Sequence, residues 1–180
     1  MAQTATIYNL EVALSDTDRG VYESLSLRLA CQPSETAEYL LTRALAYCLE
    51  YTEGLAFSRG LAEPDEPTLA VRDLTGALTT WIDVGTPDAA RVHKASKAAG
   101  RVVIYTHKDP VLLVQKLGGE RIHRAEAIEI YGVDRALIAA LAERLERRLD
   151  LDLAVTDREV YVTLGDTTLS GAITPYRLGT

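Results

Sequence analysis

Cysteine and histidine are scarce in this chain: two cysteines and three histidines in 180 residues. That leaves too few ligands for a zinc site of the usual spacing. Cys31 and Cys48 sit in apolar settings and read as buried free thiols of a cytoplasmic protein, not as a disulfide or redox pair. His93, His107 and His123 are scattered, have no serine or cysteine nucleophile motif beside them, and read as surface or structural residues. Long apolar runs are missing too. The longest, such as Val102 to Tyr105 and Val111 to Val114, are far too short to span a bilayer. The opening Met1-Ala2-Gln3-Thr4 carries neither the basic nor the apolar region of a secretory signal. The expectation is therefore a cytoplasmic chain with no membrane partner. Positive charge is in the minority, with 19 Lys and Arg against 26 Asp and Glu and a net charge of −7. That balance argues against broad non-specific binding to nucleic acid, which needs a basic face, but it permits a local basic patch.

Apolar residues make up 47% of the chain, enough for a sizeable core, and charged residues 25%. There is no repeat, no low-complexity segment and no linker long enough to split it, so residues 1–180 read as one domain. Tyr8, Leu10, Val12 and Leu14 alternate with polar neighbours, as do Leu25, Leu27 and Leu29. Separated by the turn Asp16 to Gly20, these two runs predict an antiparallel hairpin. A helix is expected from Pro33-Ser34, with Ser34 as N-cap and Leu41, Ala44, Leu45 and Cys48 as its apolar stripe. Strands are expected over Thr68 to Leu74 and Thr79 to Val84. A helix capped by Thr86 with Pro87 in its first turn then ends at Gly100. The run Arg101 to Thr106 reads as a strand buried on both faces. A short helix over Val111 to Leu117, a strand over Ala127 to Tyr131, a helix capped by Asp134 with a stripe reaching Leu145, and three closing strands complete the chain. The fold class is α/β, a mixed sheet with flanking helices.

The residues that carry chemistry cluster between Glu63 and Thr106. Asp65 and Glu66 lie between two prolines, Asp83 closes the strand Trp81-Ile82-Asp83-Val84-Gly85, and the next helix carries Arg91, Lys94 and Lys97 ahead of Arg101. Hard carboxylate oxygens suit Mg²⁺, and a lysine neutralises phosphate charge. Glu38 falls on an apolar helix stripe, where a carboxylate needs either a metal or a basic partner such as Arg43 or Arg59. The plainer reading is that Asp65, Glu66 and Lys97 are solvated and Asp83 points outward at a strand end. Tyr105 reads as core.

Taken together, the stretches Ala5-Thr6-Ile7-Tyr8, Asp18-Arg19, Pro33-Ser34-Glu35-Thr36, Arg59-Gly60-Leu61, Asp65-Glu66-Pro67, Trp81-Ile82-Asp83-Val84-Gly85, Pro87-Asp88, Lys94-Ala95 and Tyr105-Thr106 resemble the bacterial YaeQ family along nearly the whole chain. That family is similar in fold to the PD-(D/E)xK nucleases. The resemblance implies a restriction-endonuclease-like core of helix, strand, strand, helix and strand, extended by the N-terminal hairpin and the C-terminal strands. The resemblance implies that fold and not nuclease activity; the residues themselves suggest a magnesium site in which Glu38, Asp65 or Glu66, and Asp83 hold the metal and Lys94 or Lys97 acts in catalysis. This chain departs from the motif at two points. Asp83 stands where relatives can carry glutamate, and Gly85 occupies the position of the motif lysine. Two functions follow as expectations. One is a Mg²⁺-dependent phosphodiesterase acting on DNA or RNA. The other is a non-catalytic module of the same fold that binds nucleic acid through Arg91, Lys94, Lys97 and Arg101, or binds a protein.

Overall fold

The computed structural model describes residues 4–58 and 65–179. Arg59-Gly60-Leu61, which contributed to the resemblance, and Glu63-Pro64 lie outside the described residues. The chain divides into two compact units, each drawn from separate segments: Met1–Ala44 with Val133–Thr174, and Leu45–Gly132 with Pro175–Thr180. Ten strands and four α-helices are described, and their pairing is mixed parallel and antiparallel.

The first unit contains β1 (Thr6–Asp16), β2 (Val21–Cys31), β8 (Arg148–Thr156), β9 (Glu159–Leu164) and, as far as Thr174, β10 (Thr167–Arg177), in the order β2-β1-β8-β9-β10. The predicted hairpin forms with Leu10 opposite Leu27 and Val12 opposite Leu25. β8 lies parallel to β1 on its other side, placing Leu153 beside Leu14. Period-two alternation thus puts one leucine-rich face into the core. α4 (Arg135–Ala142) buries Leu137, Ile138 and Leu141, and is capped by Asp134, which accepts from the Leu137 N–H at 2.9 Å. It packs closely on β10: a Cβ at Gly171 would lie 2.6 Å from that of Asp134, so only glycine fits there. The stripe was expected to reach Leu145, but the helix closes at Glu143. Three-residue bonds from Arg144 to Leu141 and from Leu145 to Ala142 turn the chain toward β8.

A tight turn joins β8 to β9. Asp157 and Arg158 have φ of 51° and 60°, the left-handed values that a two-residue hairpin loop demands. Neither is glycine, so each is strained. The Asp18 carboxylate offsets that strain by accepting from the N–H groups of Asp157 (2.7 Å) and Arg158 (2.9 Å). Asp18→Ala is expected to lower stability by about 1–2 kcal/mol. Arg158→Gly is expected to raise it by about 0.5–1 kcal/mol. Shifts in the urea midpoint at constant slope would check both.

The second unit holds β3 (Leu55–Phe57), β4 (Leu69–Arg72), β5 (Leu78–Val84), β6 (Arg101–Thr106) and β7 (Glu129–Val133), in the order β7-β6-β5-β4-β3. β3, β4 and β5 form an antiparallel meander, while β5, β6 and β7 run parallel. The crossovers are α2 (Ala89–Ala98), between β5 and β6, and α3 (Pro110–Gly118), between β6 and β7. As expected of a central strand, β6 is buried from Val102 to Thr106. Trp81, Val92, Ala95, Ile104, Leu113 and Ile130 belong to this core.

Two helix starts differ from the sequence reading. α1 (Ala37–Leu49) is capped by Thr36, whose hydroxyl accepts from the Tyr39 N–H at 3.0 Å. Ser34 sits instead in a preceding turn, which Glu35 closes by accepting from the Gln32 N–H at 2.7 Å. α2 is capped by Asp88, not Thr86, its carboxylate accepting from the Arg91 N–H at 2.8 Å. In both cases the side-chain acceptor nearest the first free N–H groups takes the capping position.

Candidate functional site

The site builds from the end of β5. Strand alternation puts Trp81 and Asp83 on one face, and both are buried. After Val84 the chain must turn sharply into α2. Gly85 makes that turn at φ 95°, its N–H donating to the Tyr105 carbonyl at 2.8 Å. A lysine in this left-handed position would be strained, so the backbone itself accounts for the missing motif lysine.

Asp83 does not point outward. Its side chain is only 3% exposed and is surrounded by donors. Arg91, from the first turns of α2, approaches side-on, with Nε 2.7 Å from Oδ2 and Nη2 2.9 Å from Oδ1. The Trp81 indole N–H donates to Oδ1 at 2.9 Å, and the Thr68 N–H and hydroxyl reach the same oxygen at 3.4 Å. The guanidinium also lies 5.4 Å from the centre of the Trp81 ring and donates through Nη2 to the Glu66 carbonyl at 2.6 Å. This is a two-point arginine–carboxylate clamp, the strongest common form of such a pair.

The other expected site residues are placed as follows. Asp65 pairs with Lys94, and both side chains are largely exposed, so the pair adds little to stability. Glu66 gives Arg91 its backbone carbonyl and lines a cleft of about 290 Å³ with Phe57, Pro67, Ala70 and Arg72. Lys97 is exposed in the last turn of α2. Glu38 is half-buried in the first turn of α1 and belongs to the first unit, whereas Asp65, Glu66 and Asp83 belong to the second. Among the described residues, no group of three or more His, Cys, Asp and Glu side chains is placed to hold a metal ion. The acids described here do not fit Mg²⁺: Asp83, which would have to be the central ligand, is held across both oxygens by Arg91, with Trp81 and Thr68 also on Oδ1.

Three residues of the expected basic face, Arg91, Lys94 and Arg101, are engaged within the chain, while Lys97 is exposed. Arg91 turns inward to Asp83, and Lys94 pairs with Asp65. Arg101 opens β6 and belongs to a second network that the sequence reading missed. It donates through Nη1 to Glu50 (2.7 Å), and through Nε and Nη2 to Glu129 (2.7 and 3.0 Å). The Tyr105 hydroxyl donates to Glu50 at 2.6 Å and that of Tyr131 to Glu129 at 2.9 Å, while the two rings stack at 5.2 Å. The only sequence signal was alternation, which puts Arg101 with Tyr105, and Glu129 with Tyr131, on shared strand faces. Burial, with the Glu50 charge behind it, holds the Tyr105 phenol well above its usual value. Burial alone would raise Glu129, but hydrogen bonds from Arg101 and Tyr131 and the Arg101 charge outweigh it and hold the carboxyl below its usual value.

His93 Nδ1 accepts from the His123 N–H at 3.0 Å, and His107 is buried. Arg124, left-handed at φ 49°, donates to the Ser96 and Ala99 carbonyls at 3.0 Å and so closes the C-terminal end of α2. Cys31 and Cys48 are free thiols. No helix among the described residues is long and apolar enough to cross a membrane.

Comparison with known proteins places this arrangement. The family model described as YaeQ protein matches residues 1–173. The YaeQ protein of Escherichia coli (strain K12) is 30% identical over 165 residues, covering 91% of both chains. That of Salmonella typhi is 29% identical over 164 residues at the same coverage. Among solved structures, YaeQ from Xanthomonas axonopodis pv. citri superposes with a TM-score of 0.86 at 33% identity, over 98% of this chain and 100% of that one. YaeQ from Pseudomonas syringae gives 0.87 at 32%, over 97% of each. A family match across nearly the full length, together with relatives of this identity and shape, establishes that the chain belongs to the YaeQ family.

Proposed function

We propose that this chain is a non-catalytic member of the restriction-endonuclease-like fold class and works as a protein-interaction module. The fold assignment is supported by chain order: α1, the meander β3-β4-β5, α2, and then β6 parallel to β5. Fold alone carries no activity. The observation behind the non-catalytic reading is the Arg91–Asp83 clamp. A carboxylate neutralised by an arginine bound across both of its oxygens would have to give up that partner to ligate a hard cation. A role in nucleic-acid binding is disfavoured because Arg91, Lys94 and Arg101 spend their charge on Asp83, Asp65, Glu50 and Glu129. Net charge of the chain is −7 as well.

The second reading is a Mg²⁺-dependent phosphodiesterase using Asp65, Glu66, Asp83 and Lys94. It is favoured by one feature: Asp65, Glu66 and Asp83 all meet the first turns of α2, through Lys94 and Arg91. It requires Arg91 to leave Asp83. Incubation with labelled single- and double-stranded DNA and RNA in Mg²⁺ or Mn²⁺ separates the two. The expected result is no turnover and no steeply salt-dependent binding. Cleavage that vanishes in Asp83→Asn would establish the nuclease instead.

A further inference from the structure

β2 ends the strand order of the first unit, and its pattern of backbone bonds shows which groups face outward. The Asn9 N–H donates to the Arg147 carbonyl at 2.8 Å, toward β8. Odd residues of β1 therefore face β8 and even ones face β2. Because Leu10 opposes Leu27 and Val12 opposes Leu25, the odd residues of β2 bond to β1. The N–H and C=O groups of Tyr22, Ser24, Ser26, Arg28 and Ala30 point away from the sheet. Of these, the Ala30 carbonyl is taken by Arg43 Nη2 at 2.8 Å.

Apart from the charges of Glu23 and Arg28, this edge lacks the devices that normally blunt one. β2 is eleven residues long, its register with β1 runs unbroken from Thr6–Cys31 to Asp16–Val21, and it contains no proline or lysine. β3, which ends the strand order of the second unit, has three residues. At the β2 edge, Tyr22 is 62% exposed, with Ser24, Ser26 and Arg28 exposed beside it on the same face.

We propose that β2 pairs antiparallel with β2 of a second copy of this chain, centred on Leu25. The register follows from the occupied carbonyl at Ala30. Centring on Leu25 uses the four outward positions other than Ala30 and no others: Tyr22 bonds opposite Arg28, and Ser24 opposite Ser26, twice over by symmetry. That makes about eight backbone hydrogen bonds, two per bonded pair. A two-fold axis at this point keeps the leucine face of both copies on one side and presents the same patch to itself. Side-chain chemistry fits as well. Each exposed Tyr22 ring receives the guanidinium of the other copy's Arg28, a cation–aromatic pair, and Glu23 falls opposite Leu27, so no like charges meet. This pairing stands apart from the reading of Asp83, since it involves only the first unit.

Sedimentation equilibrium of the full chain across micromolar concentrations tests the pairing. The parent is expected to show a monomer–dimer equilibrium. Tyr22→Lys sets a lysine opposite each Arg28 and is expected to weaken the dimer about three- to thirty-fold, whereas Tyr22→Glu restores complementarity and keeps or tightens it. Ser24→Pro removes only an outward N–H, which an edge strand tolerates, and is expected to be monomeric with an unchanged circular dichroism spectrum. If Ser24→Pro fails to fold, the opposite responses of the two Tyr22 variants decide the matter. A parent that stays monomeric, a folded Ser24→Pro that dimerises as the parent does, or Tyr22→Lys and Tyr22→Glu behaving alike would overturn the proposal.

Discussion

Replacing Asp83 with alanine is expected to destabilise the fold by about 3–5 kcal/mol, because it strips the partner from a largely buried guanidinium. In Asp83→Ala, Arg91 keeps its position over Trp81 but loses both carboxylate bonds. The Trp81 indole N–H, in the most buried part of the unit, loses its acceptor as well. Arg91→Ala is expected to cost a similar amount by leaving the carboxylate uncompensated. The double variant should cost less than the sum of the two, with a coupling of about 1–3 kcal/mol. The sign separates structure from chemistry. An acid kept for catalysis is held at some expense to stability, so removing it is neutral or stabilising. An acid kept as the anchor of a clamp behaves in the opposite way. Urea denaturation of the parent, both single variants and the double variant measures this. A loss below about 1 kcal/mol in Asp83→Ala would mean that the clamp is not what holds this strand end.

Arg101→Ala is expected to have the next largest effect. It removes the cation that pairs with both Glu50 and Glu129, whose side chains are 9% and 17% exposed. A fully buried pair would put the loss at 3–5 kcal/mol, but the Arg101 side chain is 43% exposed, and solvent screening reduces it to about 2 kcal/mol. The pH dependence gives a second signature. Glu129 titrates below its ordinary value of 4.5 in the folded chain. Its contribution is therefore full above that value and is lost as the pH falls through the lowered folded one. Tyr105 shifts the other way. Its phenol stays protonated in the folded chain well above its ordinary value of 10.0. That contribution is full below the ordinary value and is lost as the pH rises from there toward the folded one. In the parent, stability should thus fall on both the acid and the alkaline side. In Arg101→Ala the Glu129 part of the acid-side fall should shrink, while the Tyr131 hydrogen bond and the Arg177 charge remain. Thermal midpoints of both proteins across the pH range would show this, and identical acid limbs would count against the assignment.

Much of the fold was legible because the strands and helices carry strong periodic signals. The β1–β2 leucines alternate cleanly, β6 is a continuous apolar run, and Asp134 starts a clear amphipathic helix. The departures are local. Thr36 and Asp88 displaced the expected caps Ser34 and Thr86, since several acceptors stood within two residues of each helix start and only geometry chooses among them. β3 was missed because three residues are too short to show a period. The parallel pairing of β1 with β8 joins strands far apart in the sequence, and alternation says which face of a strand is buried but not which strand lies beside it. The site was legible by position more than by role. Asp83, Asp65, Glu66, Arg91 and Lys94 do gather around the start of α2. The sequence reading placed Arg91 on a solvent-facing basic surface, however, and the structure turns it inward. Trp81 was the available clue. A carboxylate two residues beyond a buried tryptophan shares its face, and a buried carboxylate requires a cation. Arg91, one turn into the following helix, is the residue within reach. Alternation put Arg101 with Tyr105 and Glu129 with Tyr131 on shared faces, but nothing in the sequence joined them to each other or to Glu50, because the network spans three separate segments.

The central claim is that the Asp83 carboxylate serves the fold and not a metal. Isothermal titration of Mg²⁺ and Mn²⁺ into the parent protein and into Asp83→Asn tests it most directly. Asp83→Asn keeps the shape of the side chain and an acceptor for Trp81. No saturable heat in either protein is the predicted result. Stoichiometric binding in the parent that is abolished in a folded Asp83→Asn would contradict the claim and show that Arg91 gives way to a cation.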